Sequence, residues 1–161
     1  MSAARRVPSI PSSVAGFLAC KRVAVAGVSR SGNAPANAIY RRLAETGHEV
    51  FAVNPNASRV EGKPCYPNLS SIPGVIEAVM VVTHPSAAAA VAREALDRNI
   101  RHIWFHRSYG DGSVAEEALQ LCRARGVEPI EGGCPLMYCE PVDPAHRFFR
   151  WWLRLSRRVP G

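Results

Sequence analysis

Apolar positions fall in short blocks along this chain, separated by amphipathic stretches. "RVAVAGV" from Arg22, "EVFAVNP" from Glu49, "EAVMVVTHP" from Glu77, "HIWFHR" from His102 and "VEPIEGG" from Val127 are nearly continuous apolar runs that prolines and glycines interrupt. Such runs predict strands buried on both faces. Between them, "PANAIYRRLAETG" (Pro35 to Gly47), "SAAAAVAREALDRN" (Ser86 to Asn99) and "SVAEEALQLCRARG" (Ser113 to Gly126) predict helices. The first has proline near its start and glycine just past its end, as helix termini favour. This alternation predicts an α/β fold: a Rossmann-like, doubly wound, mostly parallel five-stranded sheet with helices on both faces. The connection "NASRVEGKPCYPNLSSIPG" reads as a surface excursion with two proline-flanked turns.

A C-terminal amphipathic helix is predicted over "DPAHRFFRWWLRLSRRV", with Asp143 as N-cap and Pro144 in the first turn. Phe148, Trp152 and Leu155 share one face; Arg147, Arg150, Arg154 and Arg157 share another. The chain is thus divided into a domain over 1–142 and a basic helix over 143–161. The helix resembles those that lie on membranes. At about four turns it is expected instead to dock its aromatics on the domain or on a partner such as the second subunit of a homodimer, and a membrane-surface role is not expected.

The 161 residues suit one domain, whose core can bury about 70% of the unfolded chain's surface. No apolar run approaches the roughly 20 residues of a membrane span. The N-terminal stretch reads as a polar lead-in without a signal-peptide core, so a cytoplasmic location is expected. Five cysteines in scattered positions predict buried free thiols, neither a disulfide framework nor a zinc site. Of the net charge of +7, the five arginines from Arg147 onward supply +5 and the rest of the chain +2. A body so weakly basic argues against nucleic-acid binding.

In a doubly wound sheet, ligands sit at the carboxyl ends of the strands. Those ends carry Gly27-Val28-Ser29-Arg30, Asn54-Pro55, Thr83-His84-Pro85 and His106-Arg107-Ser108. Gly27 permits a sharp turn, the backbone amides beyond it can face a phosphate, and Arg30 can add a charged donor. The dinucleotide fingerprint G-x-G-x-x-G is incomplete, because Val28 and Ser29 follow Gly27 and the next glycine is Gly32. NAD also calls for an acid at the second strand's tip, where this chain has Asn54; for NADP, no arginine stands at that tip. Ser113 with Glu116 matches a capping box, so Ser113 is expected to cap a helix rather than to act as a nucleophile. His84, His106 and Cys134 are weighed as a Cys-His set, but no orienting acid accompanies them, and no metal site is expected.

"VAVAGVSRSG", "GHEVFAVNPN", "VEGKPCYPNLSSIP", "VMVVTHP", "IWFH" and "GVEPIEGGCP" occur in one order. In that order the chain resembles small stand-alone CoA-binding proteins, related to the CoA-binding domain of the succinyl-CoA synthetase alpha subunit. The resemblance spans about Phe17 to Cys139. It implies coenzyme A, or an acyl-CoA, held at the carboxyl edge. Gly27 would make the turn, with Val28, Ser29, Arg30 and Ser31 against the phosphates and Asn54 and Pro55 bordering the adenosine. Thr83, His84, Pro85, His106 and Arg107 would line the pantetheine arm. His48 falls where the synthetase has a lysine facing the nucleotide. The synthetase's phosphorylated histidine lies in a second domain that no part of this sequence matches, so ligase activity does not carry over. The expectation is a CoA-binding protein without catalysis of its own. The alternatives are an enzyme on CoA thioesters (a transferase or hydrolase using Cys134 or His106), an NAD(P)-binding protein, and an interaction module using the basic helix.

Overall fold

A computed structural model describes residues 10–107, 112–142 and 144–155, with backbone alone at 149 and 153–155. Asp143, Ser108, most of the lead-in and the side chains of Arg154 and Leu155 lie outside the described residues. The elements, in chain order, are α1 (Ser12–Ala19), β1 (Arg22–Ala26), α2 (Pro35–Glu45), β2 (Glu49–Val53), β3 (Arg59–Val60), β4 (Lys63–Tyr66), β5 (Ala78–Val81), α3 (Pro85–Asp97), β6 (His102–Phe105), α4 (Glu116–Ala124), β7 (Ile130–Glu131) and α5 (Pro144–Leu155). Single 3-10 turns lie at Leu69–Ser71 and Pro135–Met137.

The sheet runs β3-β4-β2-β1-β5-β6-β7, and every pair except β3/β4 is parallel. From β1 the chain winds outward through β2 to β4, then returns to β5 beside β1 and winds the other way. The β1/β5 seam is therefore the topological switch point, where such sheets bind ligands. Val23 and Val25 of β1 pack into one apolar layer with Ile39 and Leu43 of α2 and Phe17 of α1. Ala24 and Ala26 pack into the opposite layer with α3 and α4 residues such as Ala88, Ala92 and Leu119. Period-two geometry sends alternate β1 side chains to the two layers, which is why the strand is apolar without interruption.

Seven strands replace the expected five. The two additions lie in the connection read as a surface excursion. Glu61 and Gly62, both at positive φ (52° and 73°), form a two-residue turn between Val60 and Lys63, which pair across it. This is the tight hairpin geometry that matches strand twist. Beyond the hairpin, Cys65 and Tyr66 pair in parallel with Ala52 and Val53. A two-residue strand shows no alternation, and Pro64 reads as a strand breaker, so neither left a pattern in the sequence.

Part of the polar lead-in is helical. α1 buries Val14 and Phe17, and the Phe17 ring meets Trp104 of β6 edge-on, with centroids 5.2 Å apart. The Trp104 indole N–H donates to the Gly132 carbonyl at 2.7 Å, so this large side chain is buried with its polar atom satisfied.

α5 meets the domain through Arg150. Arg150 Nη1 donates to the Met137 carbonyl (2.8 Å), and its guanidinium lies 5.7 Å from the Tyr138 ring centre. Phe148 and Trp151 are each 59% exposed and Trp152 47%. The cationic side of the helix carries the contact because the Met137 carbonyl and the Tyr138 ring face supply acceptors for a guanidinium.

Phe17→Ala is expected to lower stability by about 3–5 kcal/mol, read as a lower urea midpoint at unchanged slope. A midpoint that stays in place would separate α1 from the cooperative core.

Candidate functional site

At the carboxyl ends of β1, β2 and β5 the surface opens into a cleft of about 560 Å³, within the usual range for small-molecule sites. Gly27, Asn54, Pro55, Thr83 and His84 line its polar side; Val53, Leu69, Ala87 and Val91 line its apolar side. The Glu94 carboxylate, also in the wall, accepts the Leu69 amide (2.8 Å) and so fixes that side.

Gly27 sets the shape of the cleft mouth. Its φ is +100°, and a Cβ there would stand 2.3 Å from the Val82 carbonyl oxygen. Its amide donates to the Val53 carbonyl at 3.0 Å. No side chain fits, for reasons of both conformation and space.

The loop beyond Gly27 is braced from α2 and from the hairpin. The Ser29 amide donates to Asn37 Oδ1 (2.7 Å), and Asn37 Nδ2 returns to the Ser29 carbonyl (2.8 Å) and to Glu61 Oε1 (2.9 Å). Arg41 Nη1 donates to the Gly32 carbonyl (3.1 Å) and to Glu61 (2.7 Å). The Ser31 amide donates to Ser29 Oγ (3.2 Å). The amides of Ser29 and Ser31 are thus committed within the protein. The groups this loop offers outward are the Ser29 and Ser31 hydroxyls, 2.9 Å from each other, and the exposed Arg30. Val28 is buried and contributes its carbonyl, which accepts Asn54 Nδ2 at 2.6 Å. Asn54 Oδ1 in turn accepts the Asn56 amide (2.7 Å), so Asn54 ties the first loop to the tip of β2 while lining the cleft.

His84 stands immediately before α3, and its Nδ1 accepts the Ser86 amide (3.3 Å); Pro85 follows at the first helical position. The Thr83 hydroxyl oxygen is buried with no hydrogen-bond partner among the described residues. Such an atom in a cleft wall is costly unless something completes it.

Ser113 does not cap a helix. Ala115 precedes α4 and makes no side-chain cap. Ser113 is buried instead, donating its hydroxyl to the Thr83 carbonyl (2.6 Å) and its amide to the His106 carbonyl (2.7 Å). The backbone turns into α4 too late for the capping geometry, and the buried hydroxyl takes the nearest acceptor. Through Ser113, His106 and Arg107 are connected to Thr83, although they sit at the end of β6 and outside the cleft lining. Arg107 Nε is buried without a hydrogen-bond partner among the described residues.

His48 is not brought to the site. It precedes β2, at the amino edge of the sheet, with ring nitrogens 3.0 Å from the Leu43 and Leu18 carbonyls. The α2-to-β2 turn necessarily returns the chain to that edge, a strand length from Asn54. Asn37 and Glu61 were not anticipated. Asn37 had a signal: it is a polar residue within the stripe Ala36, Ile39, Tyr40 and Leu43, and it is fully buried.

The model of the CoA binding domain matches residues 21–140. The chain belongs to the CoA-binding domain family. An uncharacterized Bacillus subtilis (strain 168) protein, YneT, is 28% identical over 114 residues, covering 71% of this chain and 82% of its own. A hypothetical protein from Pyrococcus horikoshii OT3 superposes with a TM-score of 0.71 at 25% identity, over 83% of this chain and 93% of that one. An acetyl-coenzyme A synthetase from Ca. Korarchaeum cryptofilum, solved with phosphate and ADP, shares the fold (TM-score 0.60, 19% identity) over 70% of this chain and 25% of that much longer chain. For a CoA-binding domain the ligand class is coenzyme A, a small molecule. Among the described residues no helix is long and apolar enough to cross a membrane.

Burial pushes His106 down from 6.5 to about 4. The unfolded chain therefore takes up this proton at higher pH than the folded one. The contribution is fully present above about pH 6.5 and is lost as pH falls toward 4, by at most about 1.4 kcal/mol per pH unit. Thermal denaturation across that window is expected to show a falling Tm, and His106→Gln is expected to flatten part of the slope. An identical slope in the variant would assign the loss to other groups.

Proposed function

We propose that this CoA-binding domain holds coenzyme A or an acyl-CoA in the cleft at the β1/β5 seam, without catalysis of its own. The observation that carries this reading is the buried Thr83 hydroxyl in the cleft wall, which no described residue satisfies. The apolar side, with Leu69 and Val91, suits a purine face. Asn54 and Pro55 border the adenosine, and Arg30 with the Ser29 and Ser31 hydroxyls meets the phosphates. Thr83, His84 and Pro85 begin the path of the pantetheine arm, which continues toward His106 and Arg107. His48 has no part in this arrangement. An acid at the β2 tip would repel the 3′-phosphate of CoA; Asn54 avoids this, with its amide nitrogen engaged by Val28. We take 1–142 as the binding domain and 143–161 as an appended helix. The five buried free thiols support a reducing, cytoplasmic setting.

Thermal shift and calorimetry with CoA, dephospho-CoA and NAD test the assignment. CoA is expected to raise Tm, dephospho-CoA less, and NAD not at all. Arg30→Ala is expected to weaken CoA binding about tenfold and Thr83→Val three- to tenfold, the scale of lost charged and neutral hydrogen bonds. A rise with NAD and none with CoA overturns the reading. Turnover of an acyl-CoA that is lost in His106→Ala or Cys134→Ala would replace it with an enzyme.

A further inference from the structure

The sequence places α5 beside the binding domain; the structure leaves Phe148, Trp151 and Trp152 exposed. Arg150 points to the body, where it is held by the Met137 carbonyl and the Tyr138 ring. Residues two apart on an α-helix project to nearly opposite sides. Phe148 and Trp152 therefore face away from that contact, with Trp151 beside them, and all three are about half exposed or more. The Phe148 and Trp151 rings lie 5.9 Å apart, so they form one patch.

The sequence around this patch carries a single sign of charge. From His146 to the C-terminus the sequence has Arg147, Arg150, Arg154, Arg157 and Arg158 and no acidic residue. Arg147 is exposed next to Phe148. A second copy would have to bring this segment against its own like charges in a two-fold arrangement. An anionic surface meets the charge and the aromatics together. Tryptophan favours the layer between lipid headgroups and acyl chains, and arginines pair with lipid phosphates. The helix has 12 residues, a length of about 18 Å, too short for the roughly 30 Å hydrocarbon core, so it would lie along the surface. We propose that α5 is a peripheral membrane anchor, inserting Phe148, Trp151 and Trp152 into the interface of an anionic lipid bilayer, with the exposed Arg147 and the arginines that follow Arg150 in the sequence drawing it electrostatically to the headgroup phosphates.

Co-sedimentation of the full chain with vesicles of phosphatidylcholine alone, and of phosphatidylcholine mixed with phosphatidylserine, tests this. The chain is expected to pellet with the mixed vesicles and not with the neutral ones, and to be released by salt. The double variant Trp151→Ala/Trp152→Ala is expected to bind about tenfold more weakly, and Arg147→Glu at least about fivefold. Because these side chains are exposed, both variants are expected to keep the wild-type circular dichroism and CoA thermal shift, which separates a failed anchor from a failed fold or ligand site. No pelleting with the mixed vesicles overturns the proposal, as does pelleting undiminished in the double variant. A concentration-dependent dimer in sedimentation velocity that the double variant dissolves also overturns it, since a second copy would then cover the patch.

Discussion

The architecture rests on the contact between the end of β1 and the end of β5. At Gly27 the backbone passes so near the Val82 carbonyl that a single methyl group would collide with it. The same residue is hydrogen-bonded to the end of β2 through Val53. Three strand ends are thereby drawn to one point, and the cleft is the space left as the loops diverge from it. The position of the site follows from this crossing, because the direction of winding reverses between β1 and β5.

The first loop is rigid for a different reason. In a glycine-rich fingerprint, amides are left to the ligand. Here the Ser29 and Ser31 amides are committed internally, and Asn37, Arg41 and Glu61 brace the loop from outside. Glu61 achieves this from a left-handed backbone conformation at the tip of the β3/β4 hairpin. A non-glycine residue in that region carries local strain, and such strain concentrates at functional loops. Short strands that look incidental in the topology thus deliver a carboxylate to the loop that follows β1, where it orders an asparagine and an arginine.

The sequence announced the elements with strong periodicity. The runs at β1, β2, β5 and β6 and the helices α2 and α3 were legible because burial on both faces, or on one stripe, writes itself into residue type. Gly27, Asn54, Thr83 and His84 were legible because strand ends converge in this architecture. What was hidden depended on contacts distant in sequence. The hairpin consists of pairings too short to alternate. Ser113 looked like a cap because its local motif fits one, and only the arrival of Thr83 alongside shows where the hydroxyl goes. His48 followed from likeness to a family position, and the α2-to-β2 turn puts it on the opposite edge. The exposure of Phe148, Trp151 and Trp152 could not be read from the helix alone, since both of its faces are rich in large side chains.

Thr83 has two oxygens with different obligations. Its carbonyl is held by Ser113, which also grips the His106 backbone; its hydroxyl belongs to the cleft wall. One peptide therefore reports to both sides of the β5/β6 boundary. Ser113 thus joins the strand end that lines the cleft to the end of β6 through two hydrogen bonds, so the wall of the cleft is tied to its neighbouring strand by one buried residue.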